Sequence, residues 1–154
     1  MELDHGDLAK QRLLMKRLRV QRFEHLLDRG SGACPLRIPA VADMVAQALE
    51  HFDNERYRLA AWCIMPNHVH VAAEITPDYG LAEVIHSWKS FTAKAANKVL
   101  GASGPFWQRE YFDRLVRNRS HLRRIVSYIV RNPEKARLGD WRWLRAYPER
   151  EYNL

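Results

Sequence analysis

The sequence predicts an α+β fold, an antiparallel sheet with helices packed against it, and three observations carry that expectation. Residues 57–65 and 67–75 are apolar, β-type runs joined by Met65-Pro66-Asn67, turn chemistry that reads as a hairpin. Longer segments on either side carry apolar residues at helical spacing. The 154 residues, 47% hydrophobic and 28% charged, suit one domain (1–154) with a single core.

Taken in order, Asp7 to Arg29 reads as a helix. Leu8, Leu14, Met15, Leu18, Phe23, Leu26 and Leu27 recur at helical spacing with basic residues between them, and Gly30 stops the run. Gly30 to Pro39 reads as a loop. Val41, Met44, Val45, Ala48, Leu49 and Phe52 then mark a second helix, and the hairpin follows. Leu81 to Leu100 reads as a third helix with Val84, Ile85, Trp88, Phe91, Ala95 and Val99 on its apolar side. Gly101 to Pro105 breaks it, and an aromatic, basic run from Phe106 to Arg117 reads as a strand. Ser120 is then the expected N-cap of a helix with Leu122, Ile125, Val126 and Ile129 inward. Pro133 disfavours α conformation at the residue before it, which places the expected end near Asn132.

A net charge of +7 and a pI near 9.7 favour a polyanionic partner. Residues 105–154 hold 12 of the 25 Lys and Arg but only 6 of the 18 Asp and Glu, so the basic surface is expected in the last third. Arg114, Arg117, Arg124 and Arg131 are the candidates there for contact with DNA. Cys34 and Cys63 are too far apart in sequence for a zinc knuckle, and a reducing, cytoplasmic setting is expected. No apolar run approaches the ~20 residues of a membrane span, and no signal pattern opens the chain, so no membrane partner is expected.

The chemistry concentrates at two places. His68 and His70 are two apart on an expected strand, so both imidazoles share one face while Val69 and Val71 take the other. Such a pair serves either as an ordinary polar face or as two ligands of one metal ion. On the last helix Arg124, Tyr128 and Asn132 are spaced by four and Arg131 lies three beyond Tyr128, which groups a phenol, an amide and two guanidiniums. The ordinary role of such a tyrosine is to pack its ring at the core boundary with its hydroxyl in water. As a nucleophile it is weak near neutral pH, with a pKa of about 10, unless the target phosphate is strongly polarised. A divalent ion supplies that polarisation. Imidazole with oxygen donors and open positions suits Mg²⁺ or Mn²⁺, the expected cofactor, weakly and later transition metals more tightly, so availability would decide the ion. Asn132 is placed to complete such a site with its carbonyl oxygen.

Four ordered blocks, MPNHVHV, KSFTAKAAN, FWQREYFDR and YIVRNPEKARL, together resemble the REP-associated tyrosine transposases, a branch of the HUH (His-hydrophobe-His) single-strand transposases. The similarity runs from about Gly30 to Trp143. It implies an HUH-type sheet with a ferredoxin-like or RRM-like core. It also implies that His68 and His70 hold the metal, with Asn132 joining the shell, and that Tyr128 takes the 5′ phosphate of cleaved single-stranded DNA. Lys89 and Ser90 match a helix lying along the DNA. Substrates of the family are imperfect palindromes that fold into hairpins, no nucleotide cofactor is needed, and the protein is expected to act as a monomer or homodimer. Family members open with a strand of the form aromatic-x-Thr-Phe-Arg, and residues 1–11 do not match it. The fold is therefore expected to lack this first strand, leaving two sheet edges unpaired and the chain poorly stable.

Other classes fare worse. A histidine-triad hydrolase needs a third histidine at position 72, which is Ala. A two-histidine phosphodiesterase would repeat His-x-Thr or His-x-Ser, and no such repeat is present. The alternative with the most support is a binding module for hairpin single-stranded DNA whose catalytic residues are vestigial, built on arginines and the stacking rings of Trp107, Tyr111, Trp141 and Trp143. If the basic last third contacts DNA, the log of affinity for a single strand falls against log salt with a slope of about −0.7 per phosphate contacted. Replacing Arg124 and Arg131 is expected to flatten that slope in a salt titration, and an unchanged slope would move the contact elsewhere.

Overall fold

The computed structural model describes Gly6, residues 18–26 and residues 34–154. Within them run β1 (Leu18–His25), a 3-10 turn (Pro35–Arg37), α1 (Pro39–His51), β2 (Tyr57–Ile64), β3 (His68–Ile75), α2 (Leu81–Leu100), β4 (Trp107–Leu115), α3 (Arg119–Lys135) and β5 (Leu144–Ala146). The strands form one antiparallel sheet in the order β4-β1-β3-β2-β5. The expected α+β class with helices on an antiparallel sheet is what the chain adopts.

The expected missing strand is corrected. Leu18–His25 lies in the middle of the sheet, paired with β3 from Leu18↔Glu74 to Glu24↔His68 and with β4 from Arg19↔Leu115 to His25↔Trp107. The helix read over 7–29 therefore fails at 18–26, and the rest of that reading, including Leu8, Leu14, Met15 and Leu27, lies outside the described residues. Helix propensities differ by only a few tenths of a kcal/mol per residue. Backbone pairing on both edges and burial of Leu18 and Phe23 outweigh them. Leu18 and Phe23, five apart, face opposite layers of the sheet. Arg19 grips Asp113 of β4 through Nε and Nη2 at 2.8–3.0 Å, a side-chain link beside the backbone ladder.

The alternation of β3 divides the core. Val69, Val71, Ala73 and Ile75 are buried with Phe23, Tyr57, Leu59 and Trp88 under α1 and α2, while Ala72 joins Leu18, Cys63, Met65 and Ile129 beneath α3. Tyr57 ties the larger layer together: its hydroxyl donates to Leu49 O (2.6 Å) and accepts from Trp88 Nε1 (3.0 Å).

Two helices differ from expectation in detail. On α2, Phe91 and Val99 are exposed (60% and 46%), and Thr92 and Ala96 are buried in their place, because the helix rotates to dock Trp88 and Thr92 on the sheet. Thr92 Oγ1 accepts from Trp107 Nε1 at 2.8 Å. Gly101, at φ 62°, ends α2 in the left-handed conformation that favours glycine. On α3 the cap is Asn118, not Ser120: its Oδ1 accepts from His121 N at 2.8 Å. The helix also runs through Pro133 to Lys135. Pro133 is buried, and beyond it Ala136 N–H donates to Asn132 O (3.1 Å), so packing and the continuing backbone bonds offset the one donor that proline lacks.

The C-terminal segment folds back over α1, where Arg142, Arg145 and Arg150 pair with Asp43, Glu50 and Asp53. Three cations of the basic last third are thus neutralised within the protein. Trp107 is core, Trp141 Nε1 donates to Ile64 O (2.7 Å) and Trp143 Nε1 donates to Asp43 Oδ1 (2.8 Å), which leaves Tyr111 as the exposed ring among the four expected stackers. No helix among the described residues is long and apolar enough to cross a membrane. If β1 is the central strand, Phe23→Ala opens a cavity against Trp88 and Trp107 and is expected to lower unfolding free energy by about 3–5 kcal/mol. A denaturant melt measures it, and a loss under about 1 kcal/mol would remove Phe23 from the core.

Candidate nucleic-acid cleavage site

The site lies on the α3 side of the sheet, opposite the large core. Register sets it: with Val69 and Val71 buried under α1 and α2, His68 and His70 face α3, His70 standing opposite Arg22 on β1 and Cys63 on β2. The two Nε2 atoms approach to 3.1 Å. His68 Nδ1 is 2.7 Å from Asn67 Oδ1, an atom that only accepts, so the His68 ring proton sits on Nδ1 and its Nε2 lone pair points into the site. One proton, on His70 Nε2, then fills the space between the rings.

Both imidazoles are held neutral. Burial, aided by Arg22, pulls the pKa of His68 down to about 4. Burial first, then His68 and Arg22, pull His70 down to about 3 against the opposing pull of Glu24. Neutral, converging imidazoles are the form a metal requires. One turn beyond Tyr128, the Asn132 side-chain amide is buried with its Nδ2 unpartnered. The two converging imidazole nitrogens fit the expected metal, which would take the place of the shared proton, whereas the unpartnered atom of Asn132 is its amide nitrogen, a donor, so a ligand from that residue would have to be Oδ1. No cluster of three or more His, Cys, Asp or Glu among the described residues offers another site.

Tyr128 comes to the histidines from α3. Its ring meets His70 edge-on at a centroid distance of 5.6 Å, and its side chain is 47% exposed. Lys135 Nζ stands 5.2 Å from the ring centroid, a cation over the face of the ring. Tyr128 and His70 line a groove of about 660 Å³ between the β1–β4 half of the sheet and α3, with Arg22, Phe112, Arg114, His121 and Arg124 around them. Arg22 donates to Glu24 at 2.7 Å, yet its Nε is buried without a partner. Arg114 and Arg124 form no ion pair among the described residues.

The structure thus brings together His68, His70, Tyr128, Arg114 and Arg124, with Asn132 on the same helix. Arg131 lies on an adjoining shelf with Arg123, Ser127, Tyr128 and Lys135. The Arg117 side chain is exposed and outside the groove. Lys89 and Ser90 are on α2, across the sheet from the histidines. Lys89 Nζ donates to Gln108 O (2.6 Å) and Arg109 O (3.2 Å), and burial lowers its pKa, so this lysine ties α2 to the edge strand. Sequence reasoning missed Arg22, Asn67, Phe112 and His121. The signal for His121 was available, since seven residues separate it from Tyr128, two turns on one helix face.

A solved structure of a REP-associated tyrosine transposase bound to a REP hairpin shares this fold at a TM-score of 0.62, with 19% identity over 79% of this chain and 69% of that one. No curated protein matches the sequence. The family model for IS200-like transposases matches residues 39–132, more than half the chain, and the protein belongs to that family. It is a transposase by class, and its role is in DNA transposition.

The depressed imidazole pKa values have a consequence for stability without metal. The unfolded chain protonates its histidines near 6.5, the folded one only near 4 and 3, so between these limits the unfolded state binds more protons. Stability is fully present above about pH 6.5 and is expected to fall as pH drops toward 4. Denaturant melts in chelator should show the decline, and the His68→Gln, His70→Gln double variant should flatten it; an equal slope in both would remove the two rings as its source.

Proposed function

We propose that the protein cuts and rejoins single-stranded DNA that folds into hairpins, through a 5′-phosphotyrosine on Tyr128. The observation that carries this reading is the meeting of Tyr128 and His70 across one cationic groove. The hairpin bound by the structural relative supports the choice of substrate.

In the proposed reaction Tyr128 Oη attacks the phosphorus, the bond from phosphorus to the 3′ oxygen breaks, the phenolic proton passes to solvent, and the departing oxygen takes a proton from water. A 3′ hydroxyl is released and the 5′ phosphate stays on the tyrosine. Attack by a 3′ hydroxyl reverses the step, so no nucleotide cofactor is consumed. Arg22, Arg114 and Arg124 offset the charge of the strand. His68, His70 and Asn132 would hold Mg²⁺ or Mn²⁺, which when bound polarises the scissile phosphate. Asn67 keeps the His68 lone pair turned inward. A cytoplasmic setting with chromosomal DNA is part of the same reading.

Incubated with a hairpin strand from its own flanking DNA and Mn²⁺, the wild type is expected to form a denaturation-resistant adduct with the 5′-phosphate end that the cut creates. Tyr128→Phe should lose the adduct and retain binding, while His68→Ala or His70→Ala should slow cleavage by about 100-fold or more. An adduct from Tyr128→Phe would show that the nucleophile is another residue. Binding by the wild type with no adduct on any such strand would leave the binding-module reading.

A further inference from the structure

We propose that the far end of the groove is a phosphate subsite of the DNA strand, in which the His121 Nε2–H, Arg114 and Arg124 hold one phosphodiester beside the scissile one and Phe112 carries a base. This rests on the single-strand DNA reading of the groove. It adds a residue, His121, that the cleavage chemistry does not use.

The tautomer of His121 is set by the backbone. Arg117 N–H donates to His121 Nδ1 at 3.1 Å, so Nδ1 presents its lone pair to that amide and the ring proton of the neutral imidazole sits on Nε2. The residue is 7% exposed, it lines the groove, and Nε2 has no hydrogen bond among the described residues. Arg114 enters from the β4 wall and Arg124 from α3. Burial first, then Arg114, Arg124 and Arg117, lower the His121 pKa, so the ring stays a neutral donor between fixed cations. A ring N–H donor on a groove that two guanidiniums also line is suited to a phosphate oxygen. Along α3, His121 precedes Tyr128 by seven residues, about 10 Å of helix, too far for both to act on one phosphorus. A flanking phosphodiester is the group within reach. Phe112 is 56% exposed on the sheet wall, opposite Arg22 in the β1–β4 register, where a base can stack on its ring.

Two substitutions separate binding from structure. His121→Asn keeps an acceptor for Arg117 N–H and removes the outer donor, whereas His121→Gln places an amide donor near the Nε2 position and gives up the inner acceptor. The probe is a short oligothymidylate strand, with affinity and the His121 ring ¹⁵N signals as readouts. Addition of the strand should shift the wild-type Nε2 signal, His121→Asn should bind about tenfold more weakly, and His121→Gln should recover most of that loss. A strand with neutral methylphosphonate links should leave the Nε2 signal unmoved.

Wild-type affinity in His121→Asn overturns the subsite. Equal weakening in both variants also overturns it, since that pattern marks a structural histidine. A saturable shift with inorganic phosphate alone, matching that of the strand, would make it a free-anion site instead. The cleavage reading fails separately: if no hairpin yields an adduct but oligothymidylate shifts Nε2, the transposase chemistry falls and the subsite stands. If adducts form while Nε2 never shifts, the reverse holds.

Discussion

The alternation of side chains along β3 is the constraint on which this protein depends. β3 is paired on both edges, and its odd-numbered residues from Val69 to Ile75 are buried under α1 and α2. A slip of one residue would expose those side chains and drive two imidazoles into the apolar layer, so the register is held by the whole of the larger core. The same register places His68 and His70 toward α3, with Arg22 opposite His70. A hydrophobic preference on one face of the sheet thus positions polar chemistry on the other.

The α3 face is thinner and more polar, with the histidines and Tyr128 opening on a groove lined by arginines. Ile129 and Pro133 anchor the helix, while Tyr128, just before Ile129, is half exposed. Burial of the histidines keeps them neutral at physiological pH. The cost of that burial is limited by hydrogen bonds from ring to ring and from His68 to Asn67.

Charge is sorted by location. Arg142, Arg145 and Arg150 serve the fold by pairing with Asp43, Glu50 and Asp53, and Arg19 does the same with Asp113. Arg114, Arg123, Arg124 and Arg131 form no ion pair among the described residues and surround Tyr128 on the groove and shelf. Tyr128 therefore lies among arginines from both β4 and α3 that the fold leaves unpaired among the described residues.

The hairpin, the helix over Leu81–Leu100 and the pairing of His68 with His70 were legible in the sequence, because each rests on local periodicity or turn chemistry within a short window. So was the grouping of Tyr128 with Asn132, which helical spacing alone dictates. The strand at Leu18–His25 was not, because its conformation is decided by β3 and β4, whose residues lie about fifty and about ninety positions away in the chain. The cap at Asn118, the passage of α3 through Pro133 and the outward turn of Phe91 were likewise settled by docking. Only the tertiary structure brought Arg22, Phe112 and His121 to the groove, since each comes from a different element and their meeting depends on register and helix placement, which no local pattern encodes.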